Sequence, residues 1–180
     1  MKKTTFLLSL ATIVSSIFLI SGCKSESKVS LNTVPSVDLN KYLGKWYEIA
    51  RYPNKFEKDC VGVTAEYSLR KDGSIKVVNS ATLKSLDGKE TVATGKAYIA
   101  DKKTGAKLRV SFFGPFFADY WIIGLGEQYD YAVVSEPSKK YLWILSRTAK
   151  MDDDKYNKIV ASLTEQGFDT SKLTLTLQKT

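Results

Sequence analysis

Eight runs of β-branched and aromatic residues, each closed by a short turn, constrain this chain more than anything else in it. They cover approximately residues 45–52, 62–70, 74–83, 90–100, 106–113, 118–125, 129–136 and 141–147. Lys71-Asp72-Gly73-Ser74 and Asp87-Gly88 are hairpin signals, because glycine permits positive φ. Thr104-Gly105, Gly114-Pro115, Gly126 and Pro137-Ser138 mark the other turns. Only the connection 53–61 is long. Short turns make sequential strands antiparallel neighbours. Eight such strands predict an all-β, up-and-down barrel with room for one small ligand. One chain of 180 residues with 43% hydrophobic content can fill the core of one such domain.

The first run, Gly44-Lys45-Trp46-Tyr47-Glu48-Ile49-Ala50-Arg51, places a large ring at the start of a strand. Trp46 needs a floor and a lid. Arg147 ends the run Tyr141-Leu142-Trp143-Ile144-Leu145-Ser146-Arg147, and a guanidinium over an indole face is a cation–π pair. Between them lie Tyr129 and Asp130, at the start of another run. Gly44-x-Trp46, the Tyr129–Asp130 pair and the late Arg147, in that order, resemble the lipocalin family. The wording GKWYEIARYP, SFFGPF and YLWILSR resembles the bacterial lipoprotein lipocalins in particular. The resemblance covers residues 37–180.

The ends of the chain add three elements. Val37–Leu43 reads as a short helical turn that plugs one end of the fold, with Asp38 as its cap. Residues 152–167 predict the one long helix, with Tyr156, Ile159, Val160 and Leu163 as its apolar stripe. Asp152 caps it, Asp153 and Asp154 suit its positive end, and Gly167 stops it. Leu173–Leu177 alternates with period two and predicts a short ninth strand beside the first.

Residues 1–22 read as a targeting segment: Lys2 and Lys3, then an apolar run from Phe6 to Ile20. The run is shorter than the ~20 residues a membrane span needs. Ile20-Ser21-Gly22-Cys23 resembles the bacterial lipobox, which implies cleavage after Gly22 and acylation of Cys23. Residues 23–36, polar and serine-rich, read as a flexible tether between lipid and a 37–180 barrel domain. The resemblance implies a bacterial envelope location, lipid-anchored at the outer membrane and facing the periplasm.

Composition removes several chemistries. There is no histidine, which eliminates the usual general base and most zinc sites. No metal site or cofactor is expected, since Asp152–Asp154 lacks calcium-loop spacing and reads as a helix start. The net charge is +8, or +6 once Lys2 and Lys3 leave with the targeting segment. Its basic residues are dispersed, so nucleic acid is not an expected partner, whereas an anionic lipid surface is compatible. With Cys23 lipidated, Cys60 has no disulfide partner. It is a buried hydrophobe or, as an alternative reading, the nucleophile of a barrel enzyme. A ligand-free envelope interaction module is the other alternative, using the apolar turn Gly114-Pro115-Phe116-Phe117.

Anchoring the strand faces on Trp46 and Arg147 and applying period two puts Glu48, Ala50 and Tyr52 inward on the first strand. Tyr141, Trp143 and Leu145 follow on the eighth. Matching to the family's pattern implies Ala65, Tyr67 and Leu69 on the second and Val77 and Asn79 on the third. It implies Gly95, Ala97 and Ile99 on the fourth, and Leu108, Val110 and Phe112 on the fifth. Tyr120 and Ile122, then Ala132, Val134 and Glu136, complete the ring. Phe56, in the long loop, overhangs the mouth. The expected ligand contacts are Ala50, Phe56, Ala65, Tyr67, Val77, Asn79 and Ala97, with Val110, Phe112, Tyr120, Ile122, Val134, Tyr141 and Trp143. Small inward residues are expected to leave volume along the axis. A largely apolar wall with sparse polar groups fits an apolar body with one polar end. The resemblance implies a non-enzymatic binder of amphiphilic lipids, fatty acids or lysophospholipids, serving membrane maintenance under stress.

Overall fold

The structure, a computed structural model, describes residues 31–179. The targeting segment and Cys23 lie outside the described residues. Nine strands form one sheet: β1 Gly44–Arg51, β2 Cys60–Leu69, β3 Ile75–Leu83, β4 Glu90–Ile99, β5 Lys107–Phe113, β6 Phe116–Leu125, β7 Tyr131–Ser135, β8 Leu142–Ser146 and β9 Thr174–Leu175. Consecutive strands from β1 to β8 pair antiparallel, and β1 also pairs with β8. The eight-stranded barrel is therefore closed. One end is plugged by α1, Leu39–Tyr42, whose N-cap Asp38 accepts from the Asn40 N–H. At the other end lie the connections after β1, β3, β5 and β7.

Two apolar clusters flank the sheet. The inner one joins Tyr42, Trp46, Tyr67, Val77, Leu108 and Ile122 inside the barrel. The outer one joins Ile123, Val133, Leu142 and Ile144 on the strands to Ile159 and Leu163 of α2, Asp153–Glu165. Each large aliphatic side chain so buried contributes about 1.5–3 kcal/mol. The helix begins on the Asp152 carboxylate, which accepts from the Lys155 N–H. It ends with Gly167 at φ +77° and the Phe168 N–H donating to the Leu163 carbonyl, which folds Phe168 into the same cluster.

Two expectations about the wall fail here. Ala50 and Tyr52 do not line the interior; both belong to the outer cluster beneath α2. Glu48 faces Leu145, but Ala50 then faces Ile144, so Ile49 is the extra residue of a β-bulge. The bulge reverses the alternation and turns Arg51 inward, opposite Trp143. Leu69 extends past the packed wall and is exposed. The expected tether also shortens: Leu31 is buried in the outer cluster and the Val34 N–H donates to the Ile122 carbonyl at 3.0 Å.

The ninth strand occupies a split. β1 and β2 pair only over Gly44–Tyr47 and Thr64–Tyr67. Beyond that point the C-terminal segment enters between them. The Thr176 N–H donates to the Ile49 carbonyl, and the Gly62 N–H donates to the Leu177 carbonyl. Gln178 Nε2 donates to the carbonyls of Glu48 and Val63, both at 2.8 Å. Leu175 and Leu177 point to solvent, and Thr176 is buried.

Candidate functional site

The closed end is a cage around one ring. Trp46 is fully buried, and Arg147 stacks over it with its guanidinium carbon 3.7 Å from the ring centroid. The same guanidinium donates to the carbonyls of Lys41 at 2.6 Å, Lys45 at 2.9 Å and Tyr129 at 3.2 Å. Trp46 Nε1 donates to the Tyr42 carbonyl. The Tyr129 hydroxyl accepts from the Asp38 N–H, and Asp130 pairs with Lys155 of the helix. Gly44, at φ +92°, has the Arg147 Nη1 beside the position a Cβ would take. Gly44, Trp46, Tyr129, Asp130 and Arg147 are thus brought together as the floor and its struts.

Above this floor three tyrosines meet. Tyr120 shares hydrogen bonds with the hydroxyls of Tyr42 at 2.8 Å and Tyr67 at 2.9 Å. Burial pushes Tyr67 up to about 12 and Tyr42 and Tyr120 well above their ordinary values, so all three are neutral hydroxyls. Around them Val77, Ala97, Ile122, Ala132 and Val134 are closed to solvent. Ala97 and Ala132 have zero exposure, so not even a water-sized space touches them. Gly95 leaves no room either: a Cβ there would meet the Phe112 ring at 2.9 Å. The expected axial volume is absent from this half, because Phe112 and the tyrosines fill what the small residues vacate.

The half nearer the mouth is different. Asn79 pairs in register with both Ala65 and Ala93, which sets all three on the inward face. Ala65, Asn79, Val110, Phe112 and Trp143 are partly exposed, and Ala93 is exposed. The Oδ1 of Asn79 has no protein partner. Tyr141 stacks on Trp143 at 5.8 Å, and Phe56 lies 6.0 Å from Tyr141, forming an aromatic ladder from rim to interior. From Glu90 to Ala93 this accessible wall runs roughly 10 Å along the strand. Glu136, expected on the wall, instead folds into its turn and accepts from the N–H groups of Ser138, Lys140 and Tyr141.

One polar group inside the mouth had no signal in the strand pattern. Arg51, turned in by the bulge, donates to Glu48 at 2.5 Å, to the Thr176 hydroxyl at 2.9 Å and to the carbonyls of Glu57 and Cys60. The Glu57 carboxylate lies 3.7 Å from Arg51 Nε and accepts from Trp143 Nε1 at 3.0 Å. Thr176 also donates to Glu48. Two carboxylates thus share one guanidinium. Burial, reinforced by the negative charge of Glu57, pushes Glu48 up to about 7. This cluster ties the 52–59 loop and the C-terminal strand to the wall.

Cys60 is the one candidate nucleophile that the sequence raised. Cys60 is buried and free, and burial and Glu57 push its thiol up, away from the thiolate a nucleophile needs. Among the described residues no cluster of three or more acidic or thiol groups could hold a metal ion, and no helix is long and apolar enough to cross a membrane.

The chain matches known proteins in sequence and in fold. The model of a lipocalin-like domain matches residues 37–178. The chain is 41% identical over 167 residues to the outer membrane lipoprotein Blc of Escherichia coli (strain K12), covering 92% of this chain and 94% of that protein. It is 43% identical over 156 residues to the protein of the same name from Vibrio cholerae, covering 86% and 90%. Temperature-induced lipocalin-1 of Arabidopsis thaliana is 39% identical over 160 residues, covering 84% of each chain. Among solved structures, insecticyanin from the tobacco hornworm Manduca sexta superposes with a TM-score of 0.68 at 23% identity, covering 83% of this chain and 85% of that one.

Proposed function

The chain belongs to the lipocalin family, and from that premise we propose that it is a non-enzymatic carrier of single-chain amphiphilic lipids, fatty acids or lysophospholipids, in a bacterial envelope. One observation carries this reading: the interior is packed at the floor and open at the mouth. A ligand enters only the half lined by Ala65, Asn79, Val110, Phe112, Tyr141 and Trp143. A shallow apolar well buries methylenes, each worth about 0.8 kcal/mol, and leaves a polar head at the rim. The narrow barrel favours one acyl chain over two. Asn79 Oδ1, left unpaired by the protein, offers one polar contact, since a buried acceptor gains from any donor brought to it. Ala50 is withdrawn from the contact set, and Tyr67, Val77, Ala97, Tyr120, Ile122 and Val134 form the bottom of the well.

Acylation of Cys23, joined to the barrel through the segment that precedes Leu31, anchors the carrier. The relatives named outer membrane lipoprotein support placing it at the outer membrane, and membrane maintenance under stress is the role proposed with that cargo. Metabolic labelling with a fatty acid tests the anchor: wild type incorporates label and Cys23→Ala does not. Lipid extraction and mass spectrometry of protein purified without detergent test the cargo. The expected result is stoichiometric single-chain lipid. Recovery of no lipid, together with failure to bind any added one, would overturn the carrier reading.

A further inference from the structure

The three exposed phenylalanines of the described chain all lie at the mouth. Phe56, Phe113 and Phe116 are 76%, 78% and 79% exposed. Phe56 belongs to the β1–β2 loop, and Phe113 and Phe116 flank the β5–β6 turn. In a ring of eight strands these two connections are four strands apart, so the rings stand on opposite sides of the opening. Lys55 and Lys58 flank Phe56, and Lys84 and Lys89 bracket the neighbouring β3–β4 turn. The closed end also carries basic side chains, among them Lys71, Lys102 and Lys103, but no exposed phenylalanine. Charge therefore does not distinguish the ends; exposed phenylalanine does, the exposed aromatic nearest the closed end being Tyr98 at 43%.

We propose that this rim is a membrane-docking surface, which sets the open mouth against a phospholipid bilayer so that an acyl chain passes between leaflet and barrel without crossing water. The inference rests on the carrier reading for its purpose. A bilayer is the occupant that the geometry selects, because a broad surface meets both sides of the opening at once. Aromatic rings partition to the head-group level, and lysines beside them attract anionic lipid. The anchor fits as well. From Cys23 to Leu31, the first described residue and one that packs on the barrel, eight residues reach at most about 28 Å. A barrel held that close meets its leaflet at high effective concentration. The ladder Phe56–Tyr141–Trp143 continues the same surface inward.

The test uses the chain from Lys24, which contains every described residue, and vesicles of phosphatidylethanolamine and phosphatidylglycerol. Wild type is expected to float with the vesicles. F113S/F116S is expected to lose at least fivefold in partitioning, with a further loss on adding F56S. L69S, at the closed end, is expected to float like wild type. Fatty-acid binding in solution by F113S/F116S stays within twofold of wild type, because neither residue lines the well. Wild type that fails to float, or F113S/F116S that floats equally well, overturns docking even where fatty acid binds. Vesicle binding that follows the phenylalanines in a protein that binds no fatty acid supports docking and removes the carrier reading. Self-association abolished by F113S/F116S, with no vesicle binding by wild type, makes the rim a protein interface and overturns the proposal.

Discussion

The two ends of the barrel solve opposite problems with opposite placements. At the closed end the aromatic ring is inside and the cation lies over it: Trp46 is fully buried, and Arg147 spends its donors on the carbonyls of Lys41, Lys45 and Tyr129. At the mouth the charges are inside and the rings are outside. Glu48 and Arg51 are 2% and 9% exposed, while Phe56, Phe113 and Phe116 stand in solvent. Burying paired charges is a weak source of stability, since desolvation offsets much of the attraction. The floor is thus held by stacking and by hydrogen bonds to backbone carbonyls, and the mouth by a charge cluster whose desolvation offsets much of its attraction.

Breaking the floor is expected to have the largest effect. Trp46→Ala should destabilise the protein by about 3–5 kcal/mol. Arg147→Ala should cost less, and the two losses should couple by at least 0.5 kcal/mol in a double-mutant cycle measured by denaturant unfolding. Simple additivity would show that the stacked pair contributes nothing as a pair.

The mouth is expected to answer to pH instead. Glu48 is raised from 4.5 to about 7 in the folded state. It therefore holds its proton more tightly folded than unfolded. Its contribution to stability is fully present below pH 4.5 and is lost as pH rises through 7. Wild type should lose of order 3 kcal/mol relative to Glu48→Gln across that window. Unfolding both proteins between these pH values checks it; a constant difference would mean that Glu48 stays ionised beside Arg51.

Overpacking sharpens the same contrast. Ala97→Leu, in the filled half, should destabilise by about 1–3 kcal/mol. Ala93→Trp, two tiers nearer the rim and exposed, should change stability by less than about 0.5 kcal/mol. Thermal melts of the two variants decide whether the interior is divided as described.

What could be read from the sequence follows the same division. The eight strands were legible because each hairpin carries its own turn residues. The floor was legible because a tryptophan and an arginine so placed have few alternative partners. The helix was legible to within two residues at each end, Asp153–Glu165 against 152–167. The mouth was not. The bulge at Ile49 sits inside the run Trp46–Arg51, with no glycine or proline to announce it, yet it exchanges Ala50 for Arg51 on the inner face. The inward turn of Thr176 depends on the split between β1 and β2, a fact of closure and not of local pattern. The filling of Gly95 by Phe112 joins two strands whose registers no single-strand period contains. Leu31 looked like tether because its partners, Ile123 and Ile159 among them, are about ninety residues or more away in the chain.

The central claim is that only the mouth half of the interior holds a ligand. Calorimetric titration of the chain from Lys24 with a long-chain fatty acid and with a lysophospholipid, run in parallel on Ala93→Trp, tests it most directly. Wild type should saturate with one site at micromolar concentration. Ala93→Trp should bind at least tenfold more weakly while melting at the same temperature. Failure of wild type to bind either lipid, or equal binding by Ala93→Trp, would contradict the account.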